Sequence, residues 1–242
     1  MQRLIPQGEY INVPCAGGRT LKIKLRAVLY ENTSPYQKIA VYDTELFGRC
    51  LFLDGVIQIC EGDHEVYDRA LLRKLKREDR RILVLGGGDG YTAETALKLA
   101  PDLAVTLIEI DGAVLEASKK FMARRVFEDE RVSIKTGEAL EALKALEALK
   151  RMREGPGFWD GVLCDFTEAP VGTDGKGLRF YSSVFALSRG LLDENGWIGV
   201  YAGVEPGPLE KLLRGHFGSV ETGEAFVPSF GERVYFLYGE KG

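Results

Sequence analysis

The amino-acid sequence predicts an α/β fold in which a small β domain precedes a larger domain built on a mostly parallel sheet. Two observations carry this prediction. Apolar and polar residues alternate through much of the first sixty positions, which is the period of half-buried strands. From residue 81 onward, strand-like apolar runs alternate with helical patterns, as in a parallel sheet with crossover helices. We place the boundary between an N-terminal β domain, residues 1–62, and a second domain, residues 63–242.

The β domain contains one hairpin whose turn can be predicted directly. Its strands are predicted at LKIKLRAVLY (21–30), KIAVYD (38–43) and the two arms of CLFLDGVIQIC (50–60). The Asp-Gly dipeptide at 54–55 predicts a two-residue turn. That turn sets Cys50 opposite Ile59, so we expect the sulfurs of Cys50 and Cys60 to lie on opposite faces and to remain unbridged.

The second domain is predicted to begin with a helix that starts after Asp63, a suitable N-cap residue. Its strands are predicted at 81–86, 104–110, 131–135, 160–165, 196–202, 219–227 and 233–239. Its further helices are predicted at 91–99, at 112–122, from near 138, at 181–192 and near 207–214. The last two strands form a hairpin that closes the chain.

Composition and charge exclude several classes of protein. No apolar run approaches the roughly 20 residues of a membrane-spanning helix, and the amino terminus lacks a signal-peptide core, so we expect a cytoplasmic protein. The net charge of −4 argues against nucleic acid and suits a small cationic substrate. The four cysteines and two histidines lack the spacing of a zinc site, so we expect no metal.

The stretch LVLGGGDG, residues 83–90, predicts a ligand-binding turn between a strand and a helix. Gly86 and Gly88 allow the backbone to approach a ligand closely, although such a turn alone can be a mere tight connection. Glu109 ends the next strand 20 residues after Asp89, which is the usual place for an acid that binds ribose hydroxyls. Asp89 would repel a pyrophosphate. We therefore expect a ligand with a nucleoside at one end and a cationic group at the other.

A second group of acids lies where the fourth strand of this domain ends. Asp165 and Glu168 stand three residues apart, and an acid at the carboxyl end of a parallel strand points into the cleft, where general bases lie. Asp165 could equally cap the segment that follows it. Tyr67 and Asp68, near the start of the first helix, are expected to face the same cleft.

Five motifs occur in the order and spacing of one known family. They are SPYQ (34–37), LFLDGVIQ (51–58), GGGDG (86–90), EID (109–111) and SKKF (118–121). With them, residues 30–238 resemble the polyamine aminopropyltransferases, the spermidine synthase family. The resemblance implies a small N-terminal β domain and a Rossmann-like domain of the class I methyltransferase type. It also implies a homodimer or homotetramer, with no nucleic-acid or membrane partner.

The resemblance implies that the donor is decarboxylated S-adenosylmethionine, a co-substrate whose tail ends in a primary amine, and that no metal or further cofactor is needed. Asp89 would bind this ammonium and repel the carboxylate of ordinary S-adenosylmethionine. Glu109 would hold the ribose and Gln37 would contact the nucleoside. Glu138 and Ala139 would lie by the adenine, where the family usually has Asp-Gly.

On the acceptor side, Asp165 falls on the family's catalytic acid, and the acceptor-binding positions hold Tyr67, Asp68, Glu168 and Phe230. This side departs from the family. Asp68 stands where a histidine is usual, which we expect to make the pocket more acidic. Glu168 lies in an altered loop, and Phe230 replaces a tyrosine. Putrescine, agmatine, cadaverine, spermidine and norspermidine therefore remain open as acceptors.

Two other functions are compatible with the sequence. The first is a methyltransferase that uses ordinary S-adenosylmethionine on the same fold, which Asp89 opposes. The second is a catalytically silent polyamine-binding homologue, suggested by the altered loop at 165–173. Retention of Asp89, Glu109 and Asp165 argues against this second alternative.

Overall fold

The computed structural model describes residues 3–4, 9–15, 18–153, 158–166 and 176–242. The first of its two sheets is antiparallel and lies in the N-terminal part of the chain. Its strands are β1 (Arg3–Leu4), β2 (Tyr10–Cys15), β3 (Arg19–Thr33), β4 (Lys38–Thr44), β5 (Gly48–Leu53) and β6 (Val56–Cys60). They are ordered β1-β3-β4-β5-β6, and β2 also pairs with β3. The predicted strands are present, and the first of them is longer than expected.

The β5–β6 hairpin differs from the prediction in its register. The turn pairs Leu53 with Val56 as expected, but the register then shifts, and Leu51 pairs with Ile59. The extra residue on β6 is Gln58, a β-bulge that moves the pairing by one position. Cys50 consequently lies opposite Cys60, at a Cα–Cα distance of 4.1 Å, and the two form a disulfide. The expectation that these cysteines stay unbridged is wrong.

The disulfide leads to a simple expected result. Under denaturing conditions without reductant, two thiols per chain should react with a chromogenic thiol reagent, namely Cys15 and Cys164. After reduction, all four cysteines should react. Four reactive thiols before reduction, in protein purified under air, would show that the Cys50–Cys60 bond does not form.

The second sheet has seven strands, in the order β12-β13-β11-β10-β7-β8-β9. They are β7 (Arg81–Gly86), β8 (Ala104–Glu109), β9 (Val132–Thr136), β10 (Trp159–Asp165), β11 (Leu192–Tyr201), β12 (Ser219–Val227) and β13 (Glu232–Glu240). Strands β7 to β11 are mutually parallel, whereas β13 is antiparallel to both of its neighbours. This is the mostly parallel sheet with a terminal hairpin that the sequence predicts.

The helices follow the predicted order. They are α1 (His64–Leu71), α2 (Tyr91–Leu99), α3 (Gly112–Phe121), α4 (Ala139–Arg153), α5 (Lys176–Leu191) and α6 (Gly207–Arg214). Asp63 occupies the N-cap position of α1, but its carboxylate accepts a hydrogen bond from the backbone N–H of Ser229 instead of capping the helix. Among the described residues, no helix is both long and apolar enough to cross a membrane.

Strand β7 shows why the centre of the sheet is a continuous apolar run. Residues 82–85 are fully buried, and they alternate between the two cores on opposite faces of the sheet. No polar side chain interrupts this buried stretch, and the first one that follows it is that of Asp89, in the glycine-rich loop. The fold therefore places the glycine-rich loop at the carboxyl edge of the sheet, where ligands bind in open α/β sheets.

Candidate active site

A cavity of about 880 Å³ lies at the carboxyl edge of the parallel sheet. The hairpin of β5 and β6 forms part of its wall, so both sheets contribute to it. The loops after β7, β8, β9, β10 and β11 contribute to it, as do residues between β3 and β4, in α1 and between β12 and β13. Of the site residues that the sequence predicts, the cavity is lined by Gln37, Tyr67, Gly86, Gly88, Asp89, Glu109, Glu138, Ala139, Asp165 and Phe230.

The glycine-rich loop packs directly against the ends of the neighbouring strands. The N–H of Gly87 donates to the carbonyl of Asp165 at 3.1 Å. A Cβ atom at Gly86 would lie 2.1 Å from that carbonyl oxygen, and one at Gly88 would lie 2.8 Å from Cγ of Glu109. Any larger residue would push the loop away from Asp165 and Glu109. The glycines therefore bring the acids of three strands together.

Asp89 is half-buried at the start of α2, where its Oδ1 accepts a hydrogen bond from the N–H of Tyr91 at 2.8 Å. Burial and the nearby charges of Asp165 and Asp68 raise the pKa of Asp89 well above its ordinary value. The Asp89 carboxylate therefore lies close to other negative charges, which repel it. A cationic ligand would relieve this repulsion.

Asp165 lies at the end of β10 and is held by two hydroxyl groups. Its Oδ1 accepts from the Tyr67 hydroxyl at 2.5 Å, and Thr92 Oγ1 lies 3.2 Å from its Oδ2. Burial raises the pKa of Asp165, as does the charge of Asp68, whereas the hydrogen bonds from Tyr67 and Thr92 oppose the shift. These contacts orient the carboxylate towards the cavity.

Tyr67 supplies a buried hydroxyl beside that carboxylate. Its ring packs against Tyr201, Phe236 and Phe230, with centroid distances of 5.3, 5.2 and 6.2 Å. Burial, followed by the charge of Asp165, holds the pKa of the Tyr67 phenol well above its ordinary value. The phenol therefore remains a hydrogen-bond donor at neutral pH. The aromatic cluster sets the direction of that donor.

Glu109 ends β8 on the other side of the glycine-rich loop. Its Oε1 accepts from the N–H of Asp111 at 3.0 Å. Burial raises the pKa of Glu109 to about 6. The group is half-buried and lines the cavity, so its second oxygen is placed to accept hydrogen bonds from a ligand.

Gln37 is positioned by Asp111, the last residue of the EID motif, for which the sequence alone predicts no role in the site. Asp111 Oδ2 accepts from Gln37 Nε2 at 3.0 Å and from the Ser34 hydroxyl at 2.6 Å. The other oxygen of Asp111 accepts from the N–H of Ala113 and so caps α3. One carboxylate therefore ties the segment between β3 and β4 to the N-terminus of α3. Because the side-chain Nε2 of Gln37 donates to Asp111, the side-chain oxygen Oε1 is left to accept a hydrogen bond from a ligand.

Glu138 and Ala139 lie together on the cavity wall, as the sequence predicts. The carboxylate of Glu138 accepts from the N–H groups of Leu140 and Glu141, at 3.1 and 2.9 Å. Glu138 therefore caps α4. This gives the acid a structural role at the position where the family usually has Asp-Gly.

Asp68 does not lie where the sequence suggests. It is fully buried and faces α2, where its carboxylate contacts His64, Thr92 and Thr95. His64 Nδ1 lies 2.7 Å from Asp68 Oδ2, one helical turn away. The expected contact between Asp68 and an acceptor does not fit this position, because the side chain lies behind the cavity wall and is paired with a histidine. The charge of Asp68 still acts on the cavity, since it raises the pKa of Asp89 and of Asp165.

The two remaining residues predicted to contact the acceptor are Phe230 and Glu168. Phe230 is 8% exposed and lines the cavity beside Tyr67. Glu168 lies outside the described residues. The structure adds Thr92, Tyr201 and Glu205 to the cavity wall, none of which belongs to a motif that sequence reasoning assigned to the site. Among the described residues, no group of three or more His, Cys, Asp or Glu side chains could hold a metal.

The fold and the cavity define a class of protein, in which three acids surround a glycine-rich loop at the edge of a Rossmann-like sheet. Comparisons with known proteins give the family. Residues 65–205 match the "Spermine/spermidine synthase domain", and residues 9–61 match the "Spermidine synthase tetramerisation domain". The chain belongs to the spermine/spermidine synthase family. The family and the enzyme class that the sequence predicts, an aminopropyltransferase, are confirmed.

Individual relatives extend these matches over nearly the whole chain. A polyamine aminopropyltransferase of Pyrobaculum calidifontis is 30% identical, over 98% of this chain and 84% of the relative. A solved spermidine synthase in complex with the transition-state analogue AdoDATO has a TM-score of 0.83 and 23% identity, over 99% of this chain and 83% of that chain. The spermidine synthase of Thermotoga maritima has a TM-score of 0.81 and 20% identity, over 99% and 82%. These two structures confirm the predicted fold class.

Proposed function

We propose that this protein transfers the aminopropyl group of decarboxylated S-adenosylmethionine to an amine acceptor and releases 5'-methylthioadenosine. One observation carries the proposal. Asp89 and Asp165 line one cavity, and the charge of Asp165 raises the pKa of Asp89, while Glu109 lies on the opposite side of the glycine-rich loop. A substrate with a nucleoside at one end and cationic groups at the other matches this distribution of charge.

The donor would lie across the glycine-rich loop. Glu109 would accept hydrogen bonds from the ribose hydroxyls, as acids at the end of a second strand commonly do. Gln37, held by Asp111, would contact the nucleoside. Asp89 would bind the ammonium at the end of the aminopropyl chain. Gly86 and Gly88 would line its path, and their lack of side chains lets the loop pack against Asp165 and Glu109 beside the donor.

The adenine would lie against Glu138 and Ala139. The Glu138 carboxylate is occupied by two backbone N–H groups, so its part in recognition would be to fix the position of the α4 N-terminus. Ala139 is 8% exposed and offers a small apolar contact. In this assignment, the Glu138 carboxylate makes no direct hydrogen bond to the adenine.

The chemical step requires a neutral amine, because an ammonium has no lone pair. Asp165 would accept a hydrogen bond from the attacking amine and help to take its proton, while Tyr67 holds the carboxylate in place. The lone pair of the nitrogen forms a bond to the aminopropyl carbon beside the sulfonium. The carbon–sulfur bond breaks, and its electron pair goes to sulfur. The sulfonium is already a good leaving group, so positioning supplies much of the acceleration.

The acceptor would lie between Tyr67, Asp165 and Phe230, with Glu168 as the fourth proposed contact. Phe230 offers a methylene chain an apolar surface where the family's tyrosine would offer a hydroxyl. Putrescine and longer amines remain candidates on this basis.

The methyltransferase alternative requires the carboxylate of ordinary S-adenosylmethionine near Asp89, in an environment that already carries two further acids. Like charges at that point oppose it. The silent-homologue alternative is opposed by the orientation of Asp165, which two hydroxyl groups hold towards the cavity.

We further propose that the protein is a homodimer or homotetramer located in the cytoplasm, without nucleic-acid or membrane partners. The match of residues 9–61 to a tetramerisation domain supports the oligomer. The β domain, bounded at residue 62 in our proposal, would provide the interface. The net charge of −4 disfavours binding to nucleic acid.

A panel of amines tests the proposed reaction. The protein is incubated with decarboxylated S-adenosylmethionine and, separately, putrescine, agmatine, cadaverine, spermidine and norspermidine. Mass spectrometry should find methylthioadenosine together with an amine heavier by one aminopropyl group. If donor binding is measured but no amine gains the group, the silent homologue is correct.

Glu109→Gln should weaken methylthioadenosine binding by roughly tenfold, since a neutral amide accepts less strongly from paired hydroxyls than a carboxylate does. Isothermal calorimetry gives the affinity. Glu116→Gln, on the exposed face of α3, is the matched control and should bind as the wild type does. An unchanged affinity in Glu109→Gln would show that β8 does not end at the nucleoside.

Binding of the cationic donor should release protons. The raised pKa of Asp89 leaves part of its population protonated in the free protein near neutral pH, and an ammonium lowers that pKa again. Apparent affinity should therefore rise as pH increases through the raised pKa. Calorimetry at about pH 6 in two buffers of different protonation enthalpy measures the release. Asp89→Asn should release fewer protons, and an equal release from both proteins would contradict the assignment.

A further inference from the structure

Behind the Asp165 carboxylate lies a second, buried layer of polar side chains. We name it the Asp68 cluster, and it consists of His64, Asp68, Thr92 and Thr95. The exposed fractions are 9% for His64, 2% for Thr92, 1% for Thr95 and 0% for Asp68. An aspartate without exposure is rare in proteins unless its oxygens are paired. The cluster joins α1 to α2 directly beneath the cavity.

The hydroxyl proton of Thr92 has two possible acceptors, the carboxylates of Asp68 and Asp165. Asp68 Oδ2 is contacted by His64 Nδ1 and by the Thr95 hydroxyl, both at 2.7 Å. Among the described residues, Thr92 is the one donor within reach of Asp68 Oδ1, at 3.2 Å. The same Thr92 oxygen lies 3.2 Å from Asp165 Oδ2. A hydroxyl has a single proton, so Thr92 can donate to only one of the two carboxylates at a time.

We propose that Thr92 and Asp68 are positioning residues that act on Asp165, an inference that rests on the proposed aminopropyl transfer. In the free protein, the Thr92 hydroxyl donates to Asp165 and holds its second oxygen. When an acceptor ammonium donates to that oxygen, the Thr92 hydroxyl turns to Asp68. Asp68 thereby provides an alternative acceptor, so that Thr92 does not compete with the substrate for Asp165.

The charges around His64 keep Asp68 available as an acceptor. Burial disfavours the charged ring, but the hydrogen bond to Asp68 and the charge of that carboxylate outweigh burial, and the pKa of His64 is raised. The charge of Lys98, a residue of α2, opposes this rise in the pKa of His64. The other groups that face His64 are Glu94 on α2, Tyr91 stacked at 4.0 Å, and Glu61 and Asp63 before α1. Most of these surroundings are acidic, which favours a cationic His64 beside Asp68.

The two positioning residues have opposite effects on Asp165. The hydrogen bond from Thr92 lowers the pKa of Asp165, whereas the charge of Asp68 raises it. Thr92→Val should therefore move the acidic limb of the kcat/KM profile for the acceptor to higher pH. Asp68→Asn should move that limb to lower pH. Each shift should be about half a pH unit or more. The free amine titrates identically with every variant, so a difference between variants belongs to the protein.

Two further variants separate this role from packing. Thr92→Ser keeps the hydroxyl and should leave the limb near its wild-type position. Thr95→Val makes the same chemical change on the same helix. It removes a donor to Asp68, but Thr95 makes no hydrogen bond with Asp165, so no contact with Asp165 is lost. It should move the limb less than Thr92→Val does. Equal shifts in the two valine variants, or shifts of the same sign in Thr92→Val and Asp68→Asn, would overturn the proposal.

A second readout does not depend on turnover. Carbon NMR of protein labelled with ¹³C-aspartate follows the Asp165 carboxyl directly, with its signal assigned by the Asp165→Asn variant. The Asp165 pKa should rise in Thr92→Val and fall in Asp68→Asn. An Asp165 pKa that is unchanged in both variants, in protein whose circular dichroism spectrum matches the wild type, would refute the inference. If the wild type transfers no aminopropyl group, the proposed function fails, and this titration still decides whether Thr92 and Asp68 control Asp165.

Discussion

Replacing Asp165 by asparagine is expected to lower kcat by about 100- to 10,000-fold, the usual cost of removing a general base. Asparagine retains an oxygen that can accept from Tyr67, so the aromatic cluster and the end of β10 should remain in place. Binding of methylthioadenosine should stay nearly unchanged, because Glu109 and Gln37 are untouched. Steady-state kinetics with the best acceptor and calorimetry with methylthioadenosine give the two numbers.

Asp160→Asn is the matched control for this variant. It makes the same change on the same strand, but at the opposite end, where the carboxylate accepts from the N–H groups of Arg80 and Arg81. Its kcat should stay close to that of the wild type. Near-normal turnover in Asp165→Asn would mean that Asp165 is not a general base and only caps the segment after β10, which is the structural role that the sequence leaves open.

Replacing Asp89 by asparagine should reduce the preference for decarboxylated over ordinary S-adenosylmethionine by at least tenfold. A charged hydrogen bond is worth roughly 1.5–3 kcal/mol, and the same change removes the repulsion of a ligand carboxylate. The asparagine oxygen can still accept from the N–H of Tyr91, so α2 should begin at the same residue. The comparison requires calorimetric titration of both ligands into both proteins. An unchanged ratio of affinities would make Asp89 a structural residue of the loop.

The sequence predicted the second sheet well, because its signals are local and periodic. The predicted helix at 91–99 agrees with α2, and the buried run at 82–85 lies at the centre of the sheet. The loop glycines also lie where the sequence placed them. Each of these features depends on a few neighbouring residues.

The Cys50–Cys60 disulfide and the role of Asp111 depend on contacts that no local pattern reveals. The disulfide depends on a bulge at Gln58, and a one-residue slip in register moves every later side chain to the opposite face. Asp111 lies in a quoted motif, but its bonds to Ser34 and Gln37 join segments more than seventy residues apart. Tertiary structure alone brings these groups together.

Asp68 is different, because its position could have been derived. Successive residues on an α-helix are about 100° apart, so Tyr67 and Asp68 cannot both face the same cleft. His64 precedes Asp68 by four residues and therefore lies on the same face. With Tyr67 in the cavity, helical geometry directs Asp68 towards α2 and pairs it with His64.

Aminopropyl transfer itself is tested most directly by competition between the two donors. Equal amounts of decarboxylated and ordinary S-adenosylmethionine are mixed with the protein and one acceptor amine, and all products are identified by mass spectrometry. We expect methylthioadenosine and an amine lengthened by one aminopropyl group, with ordinary S-adenosylmethionine left unconsumed. Formation of S-adenosylhomocysteine and a methylated amine would contradict the proposed function and the role given to Asp89.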